Sequence, residues 1–181
     1  MRVPFELSGD RSARQDTSAP LVEWHTAGEV QDLTQLVGAV LASSVDASDL
    51  AAVKALGPDG AAANVLSPPP GYSYDRQWWH VLTFEDTPAG FVLPVVFDGC
   101  ARDGLDEATI YHMGVAPTYR GRGLARLLLR RATNTMLDHG VWRIYCDTAA
   151  ANAPMIHLFQ SEGWTRHPAR ETAIAVPSRR A

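Results

Sequence analysis

Apolar residues recur at helical spacing near the start of the chain. Six of them within residues 28–43 fall on one face of a predicted helix: Val30, Leu33, Leu36, Val37, Val40 and Leu41. A second helix is predicted over residues 47–56, and Gly57 with Pro58 ends it. Three consecutive prolines in residues 67–75 prevent regular backbone hydrogen bonding, so this segment is predicted to be a loop.

Two runs of strand-like composition follow, over residues 78–84 and 90–97. The short segment 85–88 between them predicts a β-hairpin. Pro94 lies inside the second run and has no N–H to donate to a neighbouring strand. Its presence therefore indicates an edge position or a bulge.

The second half of the chain alternates between strand and helix patterns. The predicted strands are residues 108–115, 141–146, 164–166 and 172–176, and the predicted helices are residues 123–139, closed by Gly140, and 155–162, ended by Gly163. This order of elements predicts an α/β fold with a mixed sheet.

Length and composition are those of one globular domain. The 181 residues suffice to bury a core without disulfides or a metal, and 46% of them are apolar. We expect the domain to cover residues 21–177, with tails at residues 1–20 and 178–181. The formal net charge of −4 argues against a nucleic-acid partner, because such proteins usually carry a basic excess.

The two cysteines, Cys100 and Cys146, do not have the spacing of a metal or redox site. No apolar run approaches the roughly 20 residues of a membrane span, and the first residues lack the apolar stretch of a secretion signal. We therefore expect a cytoplasmic protein with no metal and no membrane partner.

The strongest chemical signal lies where a predicted strand gives way to a helix, at Gly121 and Gly123. The unpaired N–H groups at a helix start point in one direction, and the helix dipole makes that end attractive to anions. Two glycines there let a phosphate approach the backbone closely. Arg120 and Arg122 add positive charge that a bound anion would offset.

Two other phosphate-binding patterns fit less well. The nucleoside triphosphate motif GxxxxGK[ST] is absent from the sequence. A dinucleotide site would use Gly121 and Gly123, with Asp147 at the ribose, but its third glycine position is Arg126. Five residues also separate the strand from Gly121, where that motif needs a tight turn. Dinucleotide binding therefore remains a distant alternative.

The motif Arg120-Gly121-Arg122-Gly123-Leu124-Ala125 resembles the signature [Q/R]-x-x-G-x-[G/A] of the GNAT superfamily of acyl-CoA-dependent N-acetyltransferases. The preceding Met113-Gly114-Val115-Ala116-Pro117 is similar to the strand end of that family. Its downstream motif, N-x-x-M-x-x-L-[Y/F]-x-x-x-G-[F/W], is matched by Asn152, Met155, Leu158, Phe159, Gly163 and Trp164. The resemblance covers residues 107–166.

This resemblance implies a three-layer fold, with a mixed, mostly antiparallel sheet flanked by helices, and acetyl-CoA as co-substrate. Backbone N–H groups of residues 122–126 would hold the CoA pyrophosphate, and residues 113–115 the pantetheine arm and the acyl carbonyl. Asn152 would contact cofactor or acceptor, or cap its helix. The cofactor-binding residues expected on this basis are Met113, Gly114, Val115, Arg120, Gly121, Arg122, Gly123, Leu124, Ala125, Arg126, Asn152 and Phe159.

Amide formation needs a neutral amine, so a group of the protein or water must take a proton. Glu107 is the first candidate, because members of the family often place an acid on the strand before the phosphate loop. It shares a face with Tyr111 if no bulge intervenes. His112 and Asp147 follow as candidate bases, and Tyr111 and His112 are also plausible packing residues of the strand.

Many members of the family carry a tyrosine at the position of Phe159, where it protonates the leaving thiolate. A phenyl ring cannot donate a proton. Tyr145, Tyr111, Ser161 or water would have to replace it, or the protein binds acyl-CoA without efficient turnover.

The resemblance implies an N-acetyltransferase that transfers an acetyl group from acetyl-CoA to a primary amine of a small molecule or peptide, by direct attack in a ternary complex. A non-catalytic acyl-CoA-binding regulatory module is the alternative. The aromatic residues near Tyr72, Tyr74, Trp78 and Trp79 would frame the acceptor or simply pack. A homodimer is possible, since many relatives dimerise.

Overall fold

The computed structural model describes residues 1–8, 21–30 and 32–170. Within these ranges the chain forms eight strands and four helices. The strands are β1 (Arg2–Ser8), β2 (Val22–Thr26), β3 (Tyr72–Ser73), β4 (His80–Phe84), β5 (Thr87–Phe97), β6 (Asp106–Val115), β7 (Val141–Ala149) and β8 (Thr165–Arg166). The helices are α1 (Leu33–Ala42), α2 (Ala47–Val65), α3 (Leu124–His139) and α4 (Ala153–Ser161).

All eight strands belong to one sheet, in the order β2-β4-β5-β6-β7-β1-β8, with β3 pairing additionally with β5. Every pairing is antiparallel except that of β6 with β7. That single parallel pair needs a crossover connection, which α3 provides. The expected mixed, mostly antiparallel sheet flanked by helices is confirmed.

The sheet separates two apolar cores. On one face, buried side chains of α3 and α4 pack on β1, β5, β6 and β7, with Leu128 and Ile144 at the centre. On the other face, α1 and α2 cover β4 and β5, where Trp79 and Phe91 are fully buried. The three layers follow from amphipathic helices covering both apolar faces of one sheet.

The N-terminal residues are part of this sheet, so the interpretation of residues 1–20 as a tail is wrong for β1. This strand lies between β7 and β8, and its Val3, Phe5 and Leu7 are buried in the core. Alternating apolar residues at positions 3, 5 and 7 give the strand one core-facing side. Residues 9–20 and 171–181, including the predicted strand 172–176 and the tail 178–181, lie outside the described residues.

The helices of the first half differ from their predicted bounds. Helix α1 begins at Leu33, because the chain turns at Ala27–Glu29 and Asp32 adopts a left-handed conformation. Helix α2 continues to Val65 across a kink at Gly57, where φ is 73°. Pro58 follows as the first residue of the second helical piece, a position where its missing N–H costs nothing.

The predicted hairpin is present as β4 and β5, although residue 78 belongs to a 3-10 turn and β5 starts at Thr87. Glu85 and Asp86 both have positive φ, as a two-residue hairpin turn requires. A bulge occurs beside Pro94, as expected: Leu93 pairs with His112 and Pro94 with Ile110, which leaves Tyr111 as the extra residue on β6.

The second half matches its prediction closely. Strands β6, β7 and β8 and helices α3 and α4 fall within a few residues of the expected ranges. Gly140 closes α3 in a left-handed conformation, as predicted. Residues 72–73 of the predicted loop form the short strand β3 instead.

Candidate active site

A cleft opens where β6 and β7 diverge. The two strands pair only where Asp106–Ala108 lie beside Val141–Ile144. Beyond these residues no backbone pairing joins the two strands in the described chain. The resulting cavity has a volume of about 570 Å³ and runs from the α2 start past β6 to the heads of α3 and α4. Its walls include Tyr111 to Val115 of β6 and Cys146 to Thr148 of β7.

The backbone of β6 presents polar groups to this cleft. Ala116 donates its N–H to Ala89 O on the β5 side, so Gly114, two residues earlier, faces β5 as well. Strand alternation then turns the backbone groups of Met113 and Val115 toward the diverging β7. Val115 O accepts from Arg120 Nε at 3.1 Å, which agrees with that direction. An extended amide-containing ligand could pair with this strand edge.

The phosphate-type loop lies at one end of the cleft. After β6 the chain makes a 3-10 turn at Pro117–Tyr119, and Gly121 and Gly123 then adopt positive φ of 77° and 79°. Gly123 is the N-cap of α3. A Cβ placed at either glycine would meet no protein atom within 4 Å, so open space lies above the backbone. The helix start is thus accessible to a bulky anion.

The arginines of this loop have separate partners. Arg120 reaches back to the end of α1, where its two terminal nitrogens donate to Ser43 O at 3.1 Å and Ser43 Oγ at 2.6 Å. Arg122 lies over the Phe84 ring at 5.2 Å. Arg126 and Arg130 both pair with Glu162, whose side chain is 6% exposed. Arg120 therefore fastens the loop to the end of α1, and Arg126 and Arg130 fasten α3 to the end of α4.

Eleven of the twelve residues expected to bind cofactor line this one cleft. The exception is Arg122, whose guanidinium packs on Phe84 instead. The lining members are Met113, Gly114, Val115, Arg120, Gly121, Gly123, Leu124, Ala125, Arg126, Asn152 and Phe159.

The start of α4 forms the opposite wall. Asn152 Oδ1 accepts from Met155 N at 3.2 Å, so the side chain caps the helix, one of its two expected roles. Phe159 is buried and stacks on Phe5 of β1, with ring centroids 4.7 Å apart. The position where relatives carry a tyrosine is thus an apolar contact between α4 and β1.

The structure separates the catalytic candidates. Tyr111 and His112 line the cleft, whereas Glu107 lines a second cavity of about 480 Å³ with Arg143, Tyr145 and His167. Glu107 is buried and accepts from Arg143 Nε at 2.8 Å. Glu107 therefore stands apart from the cleft as part of an ion pair, and the bulge at Tyr111 interrupts the alternation that would have aligned them.

His112 lies between a ring and two acids. Its imidazole is parallel to Phe91, with centroids 6.0 Å apart, and its Nε2 is 3.9 Å from Asp49 Oδ2. Burial lowers the pKa of His112 below its usual value, and Asp49 and Asp46 oppose that effect. A neutral imidazole at physiological pH can accept a proton.

Two other groups in the cleft stay protonated. Burial raises the pKa of Tyr111, and Tyr72, whose ring lies 5.3 Å away, adds to the effect. Cys146 lines the cleft but is fully buried, and burial raises the pKa of its thiol strongly. A thiol held in that form is a poor nucleophile, so Cys146 is not suited to carry an acyl group.

The aromatic residues proposed for the acceptor side divide into two groups. Trp79 is buried and stacks on Tyr74 at 4.6 Å, so this pair belongs to the fold. Tyr72 contacts both Tyr111 in the cleft and Phe97 in the second cavity. Tyr72 therefore packs against one lining residue of each cavity.

Three charged residues of the cleft were not anticipated from the sequence: Arg2, Asp46 and Asp49. The two acids stand in the first turn of α2, where Asp46 caps the helix by accepting from Ser48 N. The approach of Asp49 to His112 depends on how α2 packs on the sheet, which the sequence alone does not show.

Acetyl-CoA fits the residues that are present. The two glycines leave the backbone open at the head of α3, and Met113 and Val115 offer a strand edge to an amide-bearing chain. A dinucleotide fits less well, because the 3-10 turn at Pro117–Tyr119 separates β6 from Gly121. Among the described residues no three metal-ligating side chains lie together as a metal site would require. None of the four described helices has the length and apolar composition of a membrane span.

Comparison with known proteins agrees with this geometry. The sequence model of the acetyltransferase (GNAT) family matches residues 61–164, more than half of the chain. The [ribosomal protein bS18]-alanine N-acetyltransferase of Salmonella typhimurium is 34% identical over 83 residues, which are 46% of this chain and 51% of that protein. The streptothricin acetyltransferase of Streptomyces lavendulae is 34% identical over 56 residues, 31% of this chain and 30% of that protein.

Solved structures share the fold. The GCN5-related N-acetyltransferase from Sphaerobacter thermophilus superposes with a TM-score of 0.56 at 15% identity, covering 92% of this chain and 48% of that one. The chain spans about half or less of the length of the two curated relatives named above.

Proposed function

The chain belongs to the acetyltransferase (GNAT) family, and on that basis we propose that it transfers an acetyl group from acetyl-CoA to a primary amine of a small molecule or peptide, by direct attack within a ternary complex. The observation that carries the proposal is the continuity of one cleft. The open helix head at Gly121 and Gly123, the free strand edge of β6 and the neutral His112 all line it.

Acetyl-CoA supplies an acetyl group activated as a thioester. The N–H groups at the head of α3 would hold its diphosphate, because that helix end favours negative charge and the glycines leave it uncovered. The edge of β6 at Met113 and Val115 would hold the amide-bearing arm and direct the thioester to the bulge at Tyr111. A backbone N–H there would stabilise negative charge on the acyl oxygen.

His112 is the proposed proton acceptor. It lines the cleft directly before Met113 of the free strand edge, and its lowered pKa leaves one ring nitrogen unprotonated at neutral pH. Asp49 would stabilise the imidazolium once it forms. Asp147 is a weaker choice because its carboxylate already pairs with Arg2 at 2.7 Å.

Tyr111 is the proposed proton donor to the leaving thiolate in place of the missing tyrosine at Phe159. It lines the same cleft, and its raised pKa keeps the phenol protonated. Tyr145 is less suitable because it lines the second cavity, and Ser161 Oγ donates to Leu158 O at 2.9 Å.

The acceptor is proposed only as a primary amine. One relative is named for the alanine of a ribosomal protein and another for streptothricin, so both peptide and small-molecule amines belong in a first screen. The predictions of a cytoplasmic location and of a homodimer remain to be tested.

The test is thiol release from acetyl-CoA with two amine panels, alanine-initiated peptides and small polyamines or amino sugars. His112→Gln should lower kcat by about 100-fold or more, the usual range for losing a general base, while acetyl-CoA still binds. Glu107→Gln is the matched control, because it changes an acid on the same strand outside the cleft. It should keep kcat within a few fold.

Each alternative has its own outcome. Equal losses in the two variants would remove His112 as the base, and a loss only in Glu107→Gln would restore the acid first suggested by the sequence. Tight acetyl-CoA binding with no thiol release on either panel would favour the non-catalytic module. Initial rates that give a ping-pong pattern would contradict direct attack.

A further inference from the structure

Arg2 spans the cleft between two separate walls. Its Nε donates to Asp147 Oδ1 of β7 at 2.7 Å, and its Nη1 pairs with Asp46 at the start of α2. Arg2, Asp46 and Asp147 all line the cleft. The backbone of Arg2 is fixed too, because β1 is paired along β7. The guanidinium is therefore a cross-link between β7 and the start of α2.

The segment between α1 and α2 is held at both ends by arginines. Arg120 of the phosphate loop binds Ser43 through two hydrogen bonds, and Arg2 binds Asp46. Residues 43–46 therefore cross the cleft between the loop and β7. A guanidinium suits such a role, because its planar fork bonds two acceptors at fixed angles.

This cross-link positions the first turn of α2. Asp46 caps the helix through Ser48 N at 3.0 Å, and Asp49 in the same turn lies 3.9 Å from His112 Nε2. Ser44 Oγ donates to Asp49 Oδ2 at 2.6 Å, which fixes that carboxylate within the turn. A shift of Asp46 would therefore move Asp49 relative to His112.

We propose that Arg2 is a positioning residue of the acetyl-transfer site: it holds the first turn of α2 against β7 and so keeps Asp49 beside His112. This inference rests on the function proposed above. Arg2 also balances charge, because His112 faces Asp46 and Asp49 from α2 and the positive Arg2 from β1, while Asp147 of β7 is neutralised by Arg2. The ring that packs on His112 from β5, Phe91, carries no charge.

The experiment compares Arg2→Ala and Arg2→Lys with the wild type, and Arg102→Ala as a matched control on an exposed loop, where the side chain is 70% exposed. The pKa of His112 is measured by NMR titration of its ring signals, assigned with His112→Gln. Arg2→Ala should lower that pKa, because Asp49, whose charge raises it more than Arg2 lowers it, moves away from the imidazole. Arg2→Lys should lower it as well, because lysine keeps the charge but not the planar fork.

Two further readouts separate placement from charge. Hydrogen exchange at Ser48 and Leu50 should be faster in both Arg2 variants, because lysine lacks the fork that holds Asp46. On the acceptor that the screen identifies, kcat should fall about tenfold with the acid limb of its pH profile moved to lower pH, while the Kd for acetyl-CoA stays unchanged.

An unchanged His112 pKa together with unchanged exchange in Arg2→Ala would overturn the proposal. The two NMR readouts need no turnover, so they decide on Arg2 even if the wild type acetylates no amine. A wild type that acetylates no amine would refute only the proposed function. Arg102→Ala should match the wild type in every measurement, and the melting temperature of each variant checks that it is folded.

Discussion

The glycine at the head of α3 offers a direct test of anion binding, because the same helix carries a matched glycine at its other end. Gly123 and Gly140 have φ of 79° and 89°. Alanine in this conformation costs about 1–2 kcal/mol at either position. Each Gly→Ala variant should therefore lower the melting temperature by roughly 2–8 °C in the absence of ligand.

Ligand binding should separate the two variants. A Cβ at Gly123 enters the open space where the diphosphate is expected, whereas one at Gly140 meets only Leu105 Cδ2 at 3.7 Å, an ordinary contact. Loss of one hydrogen bond from a backbone N–H to a charged phosphate costs about 1.5–3 kcal/mol. The Kd of Gly123→Ala for acetyl-CoA should therefore rise by about 10- to 150-fold.

The assay is thermal unfolding with and without acetyl-CoA at about 100 times the wild-type Kd, where bound ligand stabilises the fold by about 2.7 kcal/mol. Gly140→Ala should keep that full gain. Gly123→Ala, with affinity reduced about a hundredfold, should keep only about 0.4 kcal/mol. Equal ligand-induced shifts in both variants would refute the placement of the diphosphate at this helix end.

Three further predictions concern stability. Burial, and after it Arg131, lowers the pKa of His80 to about 4, so on acidification the unfolded chain takes up a proton before the folded one. The free energy of unfolding should therefore fall by on the order of 3 kcal/mol as the pH drops from about 6.5 to about 4. Urea unfolding of His80→Gln should show a flatter pH dependence, and an unchanged slope would contradict this. A Cβ at Gly114 would overlap Val40 Cγ1, so Gly114→Ala should cost about 1–3 kcal/mol in the wild type and much less in Val40→Ala; equal costs in the two backgrounds would exclude the overlap. Glu162→Gln removes the buried partner of two arginines and should cost about 3 kcal/mol by urea unfolding, whereas a loss below about 1 kcal/mol would mean that the arginines find other partners.

The sequence was most informative where local rules decide the structure. Gly121 and Gly123 predict a left-handed turn before a helix, and Gly140 predicts its end, because these conformations depend on the residue itself. Pro94 likewise predicted the bulge, since proline cannot donate to a neighbouring strand. The residues expected to bind cofactor follow from the family resemblance instead, and eleven of the twelve line one cleft.

Long-range pairing was not readable in the same way. The alternation of Val3, Phe5 and Leu7 indicates a strand, yet only contact with β7 shows where that strand lies. The position of Glu107 in the second cavity was not readable from the sequence for a related reason. Its partner Arg143 is 36 residues away, and the bulge at Tyr111 redirects the strand between Glu107 and His112.

The position of β1 also sets the order in which the protein can fold during synthesis. Residues 2–8 leave the ribosome before their partner Val141–Ala149, which follows about 140 residues later, after roughly 7–30 s at usual elongation rates. Until then Phe5 has neither β7 beside it nor Phe159 to stack on. β1 can therefore join the sheet beside the cleft only after β7 has emerged, and the contact of Arg2 with Asp147 forms only at that stage.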